Sequence, residues 1–148
     1  MVVRAASPVA LLLVVAGLAA CATTKRVNLS NATQNLEYDA NALLKDSGET
    51  VPPADPPDGY SPEYTRDAQE LARSAHALRL AVDAGANARE VRAVFDRVAR
   101  SYHAVRDEVA HSESLQVQYD FGPLTDSYRA VEHELGIPAS RREYVPTA

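Results

Sequence analysis

Apolar residues recur at spacings of three and four in four segments of the chain, which is the spacing of one face of an α-helix. The clearest stripe in the first segment comprises Leu29, Ala32, Leu36, Ala40 and Leu43. The same pattern continues downstream, and it predicts helices over about 29–47, 62–84, 88–110 and 114–135. No segment alternates apolar and polar residues as a strand would. The predicted fold class is therefore all-α.

Residues that start and end helices flank these segments. Ser61 precedes Pro62, and proline is well tolerated at the first helical position because its missing N–H would have no partner there. Asn87 with Glu90 three residues later matches a capping box. The glycines expected to end helices are Gly48, Gly85 and Gly136.

The connections between the segments predict how the helices are arranged. Residues 48–60 contain four prolines and two glycines, which exclude helix and strand and predict an extended loop. The other two connections are short, which favours antiparallel neighbours, so we expect residues 29–135 to form an antiparallel four-helix bundle. Pro123 lies inside the last segment and predicts a kink there. Residues 136–148 are expected to be a flexible tail.

Several tyrosines fall on or near the apolar stripes. We expect Tyr38, Tyr64, Tyr102 and Tyr128 to pack in the core with hydrogen-bond partners for their hydroxyl groups. The alternative is a tyrosine-lined groove for a ligand.

The first 20 residues have the organisation of a secretory signal. Arg4 supplies a positive charge, and an uncharged run rich in Leu, Val and Ala follows from Val9 to Ala20. A bilayer core takes about 20 apolar residues to span, so this run is short for a transmembrane helix. A short transmembrane anchor is the alternative to a cleaved signal peptide.

The run ends in Leu18-Ala19-Ala20-Cys21, which resembles the lipobox of bacterial lipoproteins. The resemblance implies that a diacylglyceryl transferase places lipid on the thiol of Cys21, that a dedicated signal peptidase removes residues 1–20, and that the new amino group is acylated. Cys21 is the only cysteine. A lone cysteine in an exported protein needs an explanation, and lipidation supplies one.

The residues after the lipobox indicate where the domain is held. We expect residues 21–28 to be the lipidated cysteine and a polar tether, with the first helix capped by Asn28 or Ser30. Seven extended residues reach at most about 25 Å, so the domain stays near its membrane. In the proteobacterial sorting pattern Asp after the cysteine retains a lipoprotein in the inner membrane. Ala22 stands there, which resembles outer-membrane cargo facing the periplasm, depending on the host.

Charge narrows the range of partners. The chain has 15 basic and 20 acidic residues, for a net charge of −5. Removing residues 1–20 takes away one basic residue and leaves −6. That sign argues against nucleic acid, whose binding depends on neutralising phosphates, and against electrostatic adsorption to anionic lipid. The expected membrane attachment is therefore covalent, through lipid on Cys21.

Histidines are the first candidates for chemistry, and measured against the apolar stripes all four should point away from the bundle axis. They are His76, His103, His111 and His133. His103, Asp107 and His111 are spaced i, i+4 and i+8, so they share a helix face where zinc or copper is a candidate ligand. Only one Glu-x-x-His pair, Glu108 with His111, is present, whereas a di-iron bundle needs two such pairs.

Signatures of catalysis and of bound cofactors are missing from the sequence. It has no Gly-x-Ser-x-Gly, no phosphate-binding P-loop, no glycine-rich dinucleotide turn and no Cys-x-x-Cys-His for haem. The leading hypothesis is a non-enzymatic envelope lipoprotein without a cofactor, whose bundle binds an envelope protein or has a structural or stress-related role. The alternative is a periplasmic metal-binding or metal-sensing bundle.

Overall fold

The computed structural model describes residues 8–47, 61–112 and 114–138, with side chains from Thr24 onward except that of Gln116. Within these residues the chain forms four α-helices and no strand, so the all-α prediction is confirmed. The helices are α1 (Pro8–Asp46), α2 (Pro62–Asp83), α3 (Ala88–His111) and α4 (Leu115–Leu135). The predicted loop 48–60 and most of the predicted tail lie outside the described residues.

Helix α1 differs most from its prediction, because it begins at Pro8 and has 39 residues. Residues 22–28 are helical. They were expected to form an extended tether, followed by a helix capped at Asn28 or Ser30. The physical reason is that no proline or glycine stands between Gly17 and Gly48, so nothing in the sequence interrupts the helix. The helix limits do not bear on cleavage before Cys21, which stays a prediction.

The ends of α2 and α3 match the sequence signals to within a residue. Ser61 caps α2, with its hydroxyl accepting a hydrogen bond from the Tyr64 N–H at 3.0 Å. Asn87 and Glu90 form the predicted capping box of α3. Gly85 in the turn between the two helices has φ of +76°, a left-handed conformation that favours glycine.

Helix α4 continues through Pro123. Proline has no N–H to donate to the carbonyl of Tyr119, and its ring crowds that carbonyl. Gly122 and Pro123 are both exposed, so the irregularity faces solvent rather than the core. Ser114 caps the start of the helix, and Gly136 ends it with φ of +66°. The predicted kink stays a prediction.

The four helices pack in a ring rather than across its diagonals. Helix α1 packs on α2 and α4, and α2 packs on α3, while α3 and α4 approach each other less closely. Fully buried leucines and valines fill the centre, and Ala40, Ala68 and Ala75 are also completely buried. Small alanine side chains let the α1 and α2 backbones come close, which explains how narrow apolar stripes make a closed core.

Three of the four tyrosines predicted to be buried are buried: Tyr64, Tyr102 and Tyr128. The prediction for Tyr38 is wrong, since its side chain is 74% exposed. Leu36, two positions earlier, faces the core. Two positions correspond to about 200° around a helix, which turns Tyr38 to solvent.

A line of polar contacts joins α1 to α2. Arg79 donates a hydrogen bond from Nε to one carboxylate oxygen of Glu37, and Nδ1 of His76 lies 2.6 Å from the other. Arg79 also donates to Asp83 at 2.8 Å, and Asp83 accepts from the hydroxyl of Ser30 at 3.0 Å. These contacts fix the register of α1 against α2.

One contact extends this packing towards the start of α1. The guanidinium of Arg26 lies against Gly85, with Nη2 2.7 Å from the position that a Cβ on Gly85 would occupy. Helix α1 therefore touches the turn between α2 and α3 five residues after Cys21. Among the described residues, none of the helices combines the length and the apolar composition needed to cross a bilayer.

Candidate functional site

Cys21, the predicted lipidation site, lies on α1, and its side chain is outside the described part of the molecule. Leu29, the first residue of the predicted apolar stripe, lies eight positions after it. In a helix this stretch rises about 12 Å, half the reach expected of an extended tether. The backbone therefore places Cys21, the predicted lipidation site, a short distance from the bundle.

The three candidate metal ligands, His103, Asp107 and His111, do not converge on one site. His111 is exposed, and its Nδ1 lies 2.5 Å from the backbone carbonyl of Asp107, in a hydrogen bond within one helical turn. The carboxylate of Asp107 is paired with Arg106 at 2.9 Å. His103 is half-buried and turned elsewhere. Within the described residues, no three His, Cys, Asp or Glu side chains are arranged to hold a metal ion.

His103 is also where the predicted orientation is wrong. Its ring lies edge-to-face on two tyrosines, with centroids 5.5 Å from that of Tyr102 and 6.3 Å from that of Tyr128. From its position in the helical period, His103 is predicted to point away from the bundle axis, about 120° or more from the apolar stripe of α3. The wide spacing between α3 and α4 leaves room for a side chain at the edge of that stripe, so His103 closes the interface instead of facing water.

Four aromatic rings form a continuous stack between α3 and α4. In order they are Phe95, Tyr128, Tyr102 and Phe121, which alternate between α3 and α4. The central pair has centroids 3.9 Å apart and planes 2° from parallel, and the outer pairs are at 5.5 and 5.4 Å. Both phenylalanines of the chain take part. Flat rings fill the gap between the two helices, which explains their wider separation.

The tyrosine hydroxyls of the stack are hydrogen-bonded. Tyr102 donates to the hydroxyl of Thr125 at 3.2 Å, and Thr125 donates to the backbone carbonyl of Phe121 at the same distance. Burial raises the pKa of Tyr102, and the hydrogen bond with Thr125 partly opposes this. Burial also raises the pKa of Tyr128, and the adjacent carboxyl of Glu132 raises it further. Both rings therefore stay neutral at ordinary pH.

Glu132 is a buried carboxyl beside this stack, with only 6% of its surface exposed. Burial raises its pKa, while a hydrogen bond with Tyr128 and the positive charge of Arg129 oppose the rise. A buried acid with a perturbed pKa is a usual marker of a functional site, although structural networks also produce one. Here the carboxyl lies beside the buried ring of Tyr128, which belongs to the packing between α3 and α4.

A groove on the opposite side of α3 is the second candidate. It has a volume of about 320 Å³, opens to solvent, and lies between α2 and α3. Its lining comprises Asp67 and Glu70 from α2, and Arg97, Arg100, Ser101 and Ala104 from α3. Small side chains form its floor, and charges of opposite sign form its two walls.

Sequence reasoning identified neither Glu132 nor the groove. The sequence offered one signal for Glu132. It lies four residues after Tyr128, and residues at that spacing share a helix face, so a buried Tyr128 indicates that Glu132 is buried beside it. The groove depends on how α2 and α3 are rotated against each other. No pattern within either helix encodes that rotation.

The chain matches no protein-family model, and comparisons with curated proteins and with solved structures find no similar protein.

Proposed function

We propose that this chain is a lipid-anchored protein of the bacterial cell envelope, held through Cys21 at the periplasmic face of the outer membrane. Its helical bundle serves there as a non-enzymatic binding or structural module. The observation that carries the proposal is the sequence Leu18-Ala19-Ala20-Cys21 at the end of an apolar run, with Cys21 as the only cysteine. One acyl chain holds a protein marginally, whereas two or three hold it firmly against the repulsion of a negatively charged domain.

The position of the bundle relative to Cys21 supports the anchoring part of the proposal. Arg26 contacts Gly85, so the end of the bundle that carries the α2–α3 turn lies next to the lipidation site. The antiparallel order places the α3–α4 turn at the other end. The bundle therefore has one end beside its anchor and the other end pointing away from it.

Exposed apolar side chains support the binding part. Leu115 and Tyr119 are 80% and 79% exposed and lie four residues apart on α4. Side chains at this spacing share one face of a helix. They lie at the end of the bundle remote from Cys21, where a partner in the periplasm has access.

Metabolic labelling tests the proposal. The natural chain and Cys21→Ser are produced in a Gram-negative host fed an alkyne-bearing palmitate analogue. We expect label and outer-membrane fractionation for the natural chain, and loss of both, with retention of the uncleaved form, for Cys21→Ser. Thr23→Ser is the matched control and should behave as the natural chain does. Outer-membrane fractionation of unlabelled Cys21→Ser equal to that of the natural chain would refute the anchoring proposal.

A further inference from the structure

The α2–α3 groove differs from the α1–α2 interface in whether charged side chains of the two helices pair with each other. Across α1 and α2, Glu37 meets Arg79 and His76 directly. Across the groove, the carboxylates of α2 and the guanidinium groups of α3 line one cavity, yet within the described residues no ion pair joins them. The groove is therefore a gap between two oppositely charged walls.

The acidic wall of the groove, formed by Asp67 and Glu70, makes only exposed ion pairs within α2. Asp67 pairs with Arg66 at 3.2 Å, and Glu70 pairs with Arg73 at 3.6 Å, both partners being neighbours on α2 itself. These arginines are 70% and 64% exposed. Exposed ion pairs contribute about 0–1 kcal/mol, so a competing ammonium group displaces them at little cost.

The basic wall is free of ion pairs within the described part of the chain. Arg97 and Arg100 lie three residues apart, so their side chains are neighbours on one face of α3, and both are exposed. A guanidinium group binds a carboxylate through two parallel hydrogen bonds. Two such groups at the mouth of a cavity form a receptor for one carboxylate.

We infer that the α2–α3 groove binds a small zwitterion, an amino acid or a short peptide with free termini. Its carboxylate lies on Arg97 and Arg100, and its ammonium group lies on Asp67 and Glu70. The volume of about 320 Å³ is at the small end of the range for ligand pockets, roughly 300–1,000 Å³, which favours such a ligand over a larger one. This inference names a ligand class for the proposed binding role and rests on that role for its biological setting.

The test uses the full chain purified in detergent and titrated calorimetrically with trialanine. We expect saturable binding with a Kd below about 1 mM. N-acetylated and C-amidated trialanine should each bind at least ten-fold more weakly, because each lacks one charge. Inorganic phosphate serves as the anion-only probe and should bind more weakly than free trialanine.

Variants assign the binding to the groove. Arg97→Gln with Arg100→Gln should weaken binding at least ten-fold, whereas Arg89→Gln, an exposed arginine on α3 outside the groove, should leave it unchanged. No saturation by trialanine, equal affinity for the blocked peptides, or full binding by the double variant would each overturn the inference. The blocked peptides need no variant, so the test holds even if the double variant misfolds. Lipid labelling of Cys21 has a separate readout, so failure of either proposal leaves the other standing.

Discussion

The rings of Tyr102 and Tyr128 lie face to face, 3.9 Å apart between centroids and 2° from parallel. Each is flanked by a phenylalanine, so α3 and α4 are joined by a four-ring stack rather than by close backbone approach. Stacked aromatic pairs contribute about 0.5–1.5 kcal/mol beyond the burial of their area. We therefore expect this interface to depend on a few large side chains.

Truncation of the stack should be costly. Tyr102→Ala removes a buried ring that contacts three aromatic neighbours, and we expect a loss of about 3–5 kcal/mol in the free energy of unfolding. Tyr102→Phe keeps the ring and loses only the hydrogen bond to Thr125, which should cost about 1 kcal/mol. Urea denaturation followed by circular dichroism measures both changes.

The exposed Tyr119 provides the matched control for this series. Tyr119→Ala should change stability by no more than about 0.5 kcal/mol, because its side chain is 79% exposed. A loss for Tyr102→Ala as small as that of Tyr119→Ala would contradict the role given to the stack.

The buried carboxyl of Glu132 should make stability depend on pH. Below its ordinary pKa of 4.5 the group is neutral in both states. Because burial raises the pKa in the folded protein, the unfolded chain ionises first, and stability falls as the pH rises from 4.5 through the folded pKa. Glu132→Gln removes this loss, so its advantage in stability should be near zero at about pH 4 and should grow as the pH rises towards about 7.

Thermal melts across this pH range compare Glu132→Gln with Asp126→Asn, an exposed carboxyl on the same helix. We expect Asp126→Asn to keep the pH dependence of the natural chain. If Glu132→Gln kept it as well, the carboxyl of Glu132 would not be its source.

The Glu37–Arg79 pair should contribute more to stability than the ion pairs on the outer surface. Its side chains are 18% and 28% exposed, and it joins two helices. A double-mutant cycle with Glu37→Gln and Arg79→Gln should give a coupling energy of about 1 kcal/mol. The same cycle on Arg66 and Asp67, adjacent residues of α2 with Arg66 70% exposed, should give less than about 0.5 kcal/mol. Equal coupling in the two cycles would count against this ranking.

The metal-binding alternative has a direct test of its own. Because His103 packs on Tyr102 and Tyr128, it should take no part in binding zinc or copper. Calorimetric titration of the natural chain and of His103→Ala should therefore give the same result for either metal. Binding that is strong in the natural chain and lost in His103→Ala would show that His103 turns out of the interface, and it would revive the alternative.

The helical periods and caps predicted most of the fold. Ser61, Asn87 and Gly85 act locally, so their effects on helix ends can be read from neighbouring residues alone. The predicted start of α1 was wrong because the polar residues before Leu29 were interpreted as an extended tether. The sequence from Leu18 to Ser47 contains no proline or glycine that would stop a helix. Polar residues do not by themselves end a helix.

The candidate sites were harder to predict, because they depend on contacts between helices. His103 was assigned to the surface from its angle on α3. It is half-buried because its ring packs on Tyr128 of α4, at the edge of the aromatic stack between the two helices. In the same way, Arg97 and Asp67 belong to one groove only because α2 and α3 are rotated to face it together. A helical period fixes angles within one helix and carries no information about its rotation against another.

The most direct test of the account is mass spectrometry of the N-terminal peptide of the protein isolated from membranes of a bacterial host. We predict that the mature chain begins at Cys21 and that this residue carries a diacylglyceryl group on its sulfur and an acyl group on its nitrogen. A chain that still begins upstream, or one cut elsewhere with an unmodified Cys21, would contradict the claim that lipid at this residue holds the bundle at its membrane.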